Sequence, residues 1–91
     1  MEIRLFATFR DICGAKSINV PFDDGKTIGA ILDDVFVQFP TMKEELFDEN
    51  NHLRPHVHVF VNGKNIIHLD GLKTKVNTDD QLALFPPVAG G

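Results

Sequence analysis

Only one cysteine occurs in the 91 residues, Cys13. A lone cysteine excludes an internal disulfide and a cysteine metal cluster, so a reducing, cytoplasmic setting is expected. It reads as a small turn residue before Gly14. No run of some 18 or more apolar residues is present, which leaves no segment to span a membrane. The start, "MEIRLFATFR", has charges at Glu2 and Arg4 and no long apolar stretch, so it is not expected to be a signal peptide. Basic residues are also scarce, with 9 Lys and Arg against 13 Asp and Glu and a formal net charge of −4. That balance argues against nucleic acid as the main partner, because phosphate contacts need clustered cations. No linker, repeat or low-complexity stretch divides the chain. What is present is a hydrophobic share of 43%, enough for one modest core in one domain.

The apolar residues are patterned. "MEIRLFA" alternates, with Ile3, Leu5 and Ala7 on one face and Glu2, Arg4 and Phe6 on the other, which predicts a strand. "KSINVPF" alternates likewise, and Pro21 places this second strand at an edge. The short "RDICGA" between them suits a hairpin connection. Thr27 is positioned to cap a helix whose apolar stripe runs through Ile28, Ile31, Leu32, Val35, Phe36 and Phe39. Pro40 ends it. Thr41 and Glu44 stand at capping-box spacing, predicting a short second helix. "DENNHLR" is a polar loop. In "PHVHVFVNGKNII", Val57, Val59 and Val61 alternate with His56, His58 and Phe60. Asn62-Gly63 then supplies a two-residue turn that tolerates positive φ, and Lys64 to Ile67 are expected to pair back. "LDGLKTKVNTDD" reads as turns. "QLALF" is the last strand, with Leu82 and Leu84 inward and Ala83 and Phe85 outward. The order predicts an α+β fold. It resembles a ubiquitin-like β-grasp: a mixed sheet of four to five strands, one main helix and a short second one.

The terminal "FPPVAGG" follows that strand directly. Pro86 and Pro87 lack amide donors, and Phe85 before proline is driven to an extended conformation. A domain of residues 1–85 is thus expected to carry an extended tail of residues 86–91, able to reach roughly 20 Å at about 3.3 Å per residue. Gly90 and Gly91 have no Cβ, which allows close approach to another protein's surface. A free carboxylate is a poor electrophile, but its acyl-adenylate has a good leaving group for a sulfur or nitrogen nucleophile. The alternative is an ordinary frayed end of small residues.

"LFPPVAGG" after such a pattern resembles the MoaD family of small sulfur carriers, within the MoaD/ThiS superfamily. "ELFDENNHLRPHVHVFVNGKNI" and "LDGLKTKV" resemble a longer MoaD-like subgroup that includes archaeal members. The resemblance implies that a MoeB- or ThiF-type adenylating enzyme activates the carboxylate of Gly91 with ATP. It implies a thiocarboxylate on Gly91 as the sulfur cargo, with no permanently bound cofactor and no metal. Gly90, Ala89, Val88, Pro87 and Pro86 would thread the tail into the partner. With a MoaE-like large subunit, the carrier would form molybdopterin synthase as its non-catalytic small subunit. The chain departs from the family where many members carry Gly-Asp before the last strand and it has "NTDDQ". Asn77 and Asp80 can still serve a turn there.

The alternation places Phe6, Phe60 and Phe85 on the sheet face away from the helix, as an expected partner dock. The alternative is that residues 41–54 cover Phe6 or Phe60. His56 and His58 at i, i+2 spacing form no metal site without a third ligand and read as solvent-facing. His52 and His68 read as loop residues, and Asp33-Asp34 and Glu44-Glu45 as solvated helix faces. Three functions fit: a carrier for molybdopterin, a carrier for cysteine or thiamine synthesis, and a ubiquitin-like modifier joined to lysines.

Overall fold

The computed structural model describes residues 1–87. Val88, Ala89, Gly90 and Gly91, four of the expected tail residues, lie outside the described residues. Five strands form one mixed sheet in the order β2-β1-β5-β3-β4. They are β1 (Glu2–Leu5), β2 (Ser17–Asn19), β3 (His58–Val61), β4 (Lys64–Asn65) and β5 (Leu82–Phe85). β5 runs parallel to β1 at the centre, with Arg4 opposite Ala83 and Leu5 opposite Leu84. The other pairings are antiparallel. β2 lies at an edge, as expected, and ends at Asn19, two residues before Pro21.

The helices are α1 (Thr8–Cys13), α2 (Ile28–Gln38) and α3 (Thr41–Leu46). α2 carries Ile28, Ile31, Leu32 and Val35 into a core shared with Ile3, Leu5, Ile18, Val59, Val61, Leu82 and Leu84 of the sheet. Burying each such aliphatic side chain contributes roughly 1.5–3 kcal/mol. Thr27 caps α2, its Oγ1 accepting from the Ala30 amide at 3.2 Å. Phe39 has left helical geometry at φ −132° before Pro40. Asn62 and Gly63, at φ 52° and 82°, form the expected hairpin turn.

Five sequence expectations need correction. "RDICGA" is no plain hairpin connection: most of it belongs to α1. β1 stops at Leu5, and Ala7, expected on the inner face, is exposed at φ 51°. That turn lets Phe9 enter the core, and Gly14 in the left-handed region closes the helix by donating to the Arg10 carbonyl. The reason is burial: one aromatic under the sheet's end outweighs a tighter turn. The capping box of Thr41 is not formed, because Pro40 is already helical and the chain enters α3 directly from Phe39. β4 ends at Asn65, whose Oδ1 accepts from the Ile67 amide at 3.1 Å and starts a 3-10 turn over Ile66–His68. That turn buries Ile66 and leaves Ile67 and His68 exposed. Last, Asp34 is not merely solvated; it pairs with Lys26.

Candidate partner-docking site

The central strand β5 organises the site. Its alternation sends Leu82 and Leu84 into the core and Ala83 and Phe85 to the opposite face. Parallel pairing of β1 with β5 then brings Phe6, just beyond Leu5, against Phe85. Their rings stack with centroids 4.1 Å apart and planes 9° from parallel. From the other side β3 delivers Phe60, edge-on to Phe85 at 5.2 Å. Three phenylalanines that are distant in sequence thus make one half-buried aromatic row. Together with Arg4, Gly63, Gln81 and Ala83 they line a shallow depression of about 350 Å³. Residues 41–54 do not cover it. Their Phe47 instead packs edge-on to Phe36 of α2 at 5.5 Å, on the helix side.

Two guanidinium groups border the row. The Arg4 Cζ lies 5.9 Å from the Phe6 ring centroid, and that of Arg10 lies 5.1 Å from it. Both separations suit a cation–π contact. Arg10 is fixed further, its Nε donating to the Leu5 carbonyl at 2.7 Å. Sequence reasoning missed Arg10 because it read the segment as a turn. The spacing of Phe9, Ile12 and Cys13 is the signal that could have revealed a helix and placed Arg10 beside the end of β1.

The far end of β5 is tied by polar contacts. Asp80 accepts from the Asn77 amide through Oδ2 and from Asn62 Nδ2 through Oδ1, each at 2.8 Å. Asn62 Oδ1 in turn accepts from the Gln81 amide at 2.9 Å. "NTDDQ" therefore makes a closed turn clamped to the β3–β4 hairpin. At the other end, Pro86, next in sequence to Phe85 of the aromatic row, is buried and Pro87 is exposed.

The histidines do not converge. His56 sits in a turn closed by the Val57 amide on the Arg54 carbonyl, not on the strand beside His58. The turn at Pro55-His56 shortens β3, so the expected shared face is lost. His58 Nδ1 is hydrogen-bonded to Asn65 Nδ2 at 2.9 Å and its ring leans on Phe60. Among the described residues no group of three His, Cys, Asp or Glu is placed to hold a metal. Cys13 closes α1 rather than sitting in a turn, and burial pushes its thiol pKa up, away from the reactive thiolate. Two carboxyls are held below their ordinary range outside the site. Asp24 is held by the Thr78 hydroxyl and then the Thr78 amide, and Asp48 chiefly by the His52 amide. No described helix is long and apolar enough to cross a membrane.

Known proteins share this fold and sequence pattern. Residues 3–91 match the model of the ThiS family. Small archaeal modifier protein 3 of Haloferax volcanii is 41% identical over 91 residues, covering 100% of this chain and 98% of the relative. Sulfur carrier protein CysO of Mycobacterium tuberculosis is 30% identical over 80 residues, covering 86% of this chain and 83% of the relative. The crystal structure of SAMP1 from Haloferax volcanii superposes with a TM-score of 0.87 at 33% identity, covering 100% of this chain and 98% of that one. The Amycolatopsis orientalis BexX/CysO complex contains a chain matching with a TM-score of 0.84 at 30% identity, covering 99% of this chain and 98% of that one. The fold is therefore a ubiquitin-like β-grasp, and the chain belongs to the ThiS family of small ubiquitin-like sulfur carriers and modifiers.

Proposed function

We propose that the reacting group of this protein is the carboxylate of Gly91, presented to partner enzymes by a body that docks through Phe6, Phe60 and Phe85. The carrying observation is the position of the aromatic row. Phe85 immediately precedes Pro86, so a partner that grips the row also sets the direction in which the chain departs. Binding through the row and orienting the reacting carbonyl are then one event, which is what alignment for reaction needs.

In the first step a carboxylate oxygen of Gly91 attacks the α-phosphorus of ATP in a MoeB- or ThiF-type adenylating enzyme. Pyrophosphate leaves and an acyl-adenylate forms. A sulfur nucleophile then attacks the acyl carbon, and AMP leaves with the bonding electron pair. Where that nucleophile is hydrosulfide, loss of its remaining proton leaves the Gly91 thiocarboxylate. Where it is an enzyme persulfide, the acyl disulfide so formed is reduced at its S–S bond by a thiol, which frees the thiocarboxylate and becomes a disulfide with the enzyme sulfur. ATP is consumed by the partner, and the carrier itself needs no resident cofactor. Gly90, Ala89, Val88 and Pro87 serve as the narrow stem that the partner's channel must admit.

For the acceptor, we read a MoaE-like subunit, with which the charged carrier forms molybdopterin synthase and donates sulfur to a pterin precursor. The support is the resemblance of "LFPPVAGG" and the preceding segments to MoaD-like carriers. The identity to small archaeal modifier protein 3 favours a second reading, in which activated Gly91 is joined to lysines of other proteins. The relation to CysO supports a carrier role in cysteine synthesis in the same way.

Intact-mass measurement after incubation with ATP, the adenylating enzyme and a sulfur source tests the common step. The expected product gains the mass of one sulfur replacing one oxygen. A mass that stays unchanged with an enzyme competent toward its own carrier would refute the proposal. Adding the MoaE-like subunit and pterin precursor, or a cell lysate searched for Gly-Gly remnants on lysine, separates the acceptors.

A further inference from the structure

The outer sheet face is charged unevenly. From its far end toward the root of the C-terminal segment it presents Glu2, then Arg4, then Arg10 from α1, with His58 on the β3 side. Glu2 accepts from the Ser17 hydroxyl at 3.2 Å, at the end away from Phe85. The only ion pair among the described residues is Lys26–Asp34, so neither Arg4 nor Arg10 has a carboxylate within the body. This holds in a chain whose formal net charge is −4, with an acid excess elsewhere. Two guanidinium groups are thus held against the apolar row without a paired carboxylate among the described residues. Arg10 is locked by its Nε on the Leu5 carbonyl, which leaves the terminal nitrogens of its fork for another molecule.

We infer that the adenylating partner meets this row with an apolar surface flanked by carboxylates, and that Arg4 and Arg10 dock on them to fix the carrier's orientation. The inference rests on the Gly91 reading and names the partner chemistry of that site. A fixed guanidinium at an interface favours paired hydrogen bonds to carboxylate and loses less side-chain freedom on binding. Local charge complementarity is needed here for a second reason. The body itself is acidic, with a formal net charge of −4, so it is this local pair of arginines that gives it a face for carboxylates to meet.

The test is carrier-dependent ATP–pyrophosphate exchange by the MoeB- or ThiF-type enzyme, with the full chain, at low and high salt. Arg4→Gln and Arg10→Gln are each expected to raise KM for the carrier about tenfold with little change in kcat. The double variant is expected to lose most of the salt dependence of KM. Lys43→Gln on α3, remote from the row, should behave as wild type. Arg10→Lys keeps the charge but loses the planar fork, and an intermediate KM is expected. Arg4 makes no side-chain hydrogen bond within the described residues, so its variant reports charge even where Arg10→Gln loosens Phe6. Wild-type KM and salt dependence in the Arg4 variant and the double variant would overturn the inference. Absence of exchange with the wild-type chain would count against the Gly91 reading instead. Calorimetric binding of the same variants to the enzyme would then still decide the role of the arginines.

Discussion

Phe60 is the residue at which the proposed docking and the folding separate most cleanly. Its ring is half-buried on the outer face, while Val59 and Val61 on either side hold the core. Phe60→Asp is therefore expected to leave the melting temperature within a few degrees. It should weaken binding to the adenylating enzyme by about 2 kcal/mol, the scale of an aromatic hot spot, or roughly thirtyfold in Kd. Titration calorimetry checks the affinity and a thermal melt checks the fold. Unchanged affinity would remove Phe60 from the dock. Asp24 carries a prediction of another kind. Hydrogen bonds from Thr78 hold its pKa below the ordinary 3.8, so the folded state binds its proton less readily than the unfolded chain. The stabilisation is present above the unfolded value and is lost as pH falls through the lower, folded one. Asp24→Asn should therefore cost stability near pH 7. The gap from wild type should close as pH falls below the ordinary carboxylate value and through the lower folded one, as read by urea unfolding at a series of pH values.

At the scale of elements, α1 shows how burial overrides a local pattern. The alternation of "MEIRLFA" continues through Ala7, yet β1 ends two residues earlier because Phe9 gains a fully buried site from the turn. Phe9→Ala should cost about 3–5 kcal/mol by leaving a cavity, seen as a lower denaturation midpoint with little change in slope. The same variant should loosen Arg10 and thus Phe6, coupling a core defect to the proposed dock. α2 was far easier to read. Its stripe, its cap at Thr27 and its stop at Pro40 are local signals, and each appears where the sequence puts it. α3 lay in the right place for a partly different reason. Its start is set by the helical turn at Pro40 rather than by a Thr41 side chain. His56 illustrates the opposite error. Period-two spacing alone put it on the strand with His58, and the turn at Arg54 to Val57 removed it.

The whole molecule delivers one strand's end. β5 is bonded on both sides, parallel to β1 and antiparallel to β3, so the departure point beyond Phe85 is rigidly framed. Deleting Gly91, or adding one residue after it, should abolish thiocarboxylate formation while the melting temperature stays that of wild type. Either change displaces the proposed reacting carbonyl by one residue, beyond what catalytic alignment tolerates. Intact mass and a thermal melt on the same samples check the two halves of this statement. Full conversion of the extended chain, without trimming, would contradict it.

By itself the sequence determined the alternating strands, the stripe of α2, the Asn62-Gly63 turn and the small residues at the chain's end. These are short-range matters of side-chain period, capping and backbone freedom, and they can be read from neighbours. Only the tertiary structure decided that Phe6 stacks on Phe85, that Phe60 meets both strands' face, and that Arg4 and Arg10 border them. Those contacts follow from the parallel pairing of the first strand with the last, joined across most of the chain's length. No local periodicity encodes such a register. It is chosen by the shared core beneath the sheet, where burying Ile3, Leu5, Leu82 and Leu84 together admits one alignment.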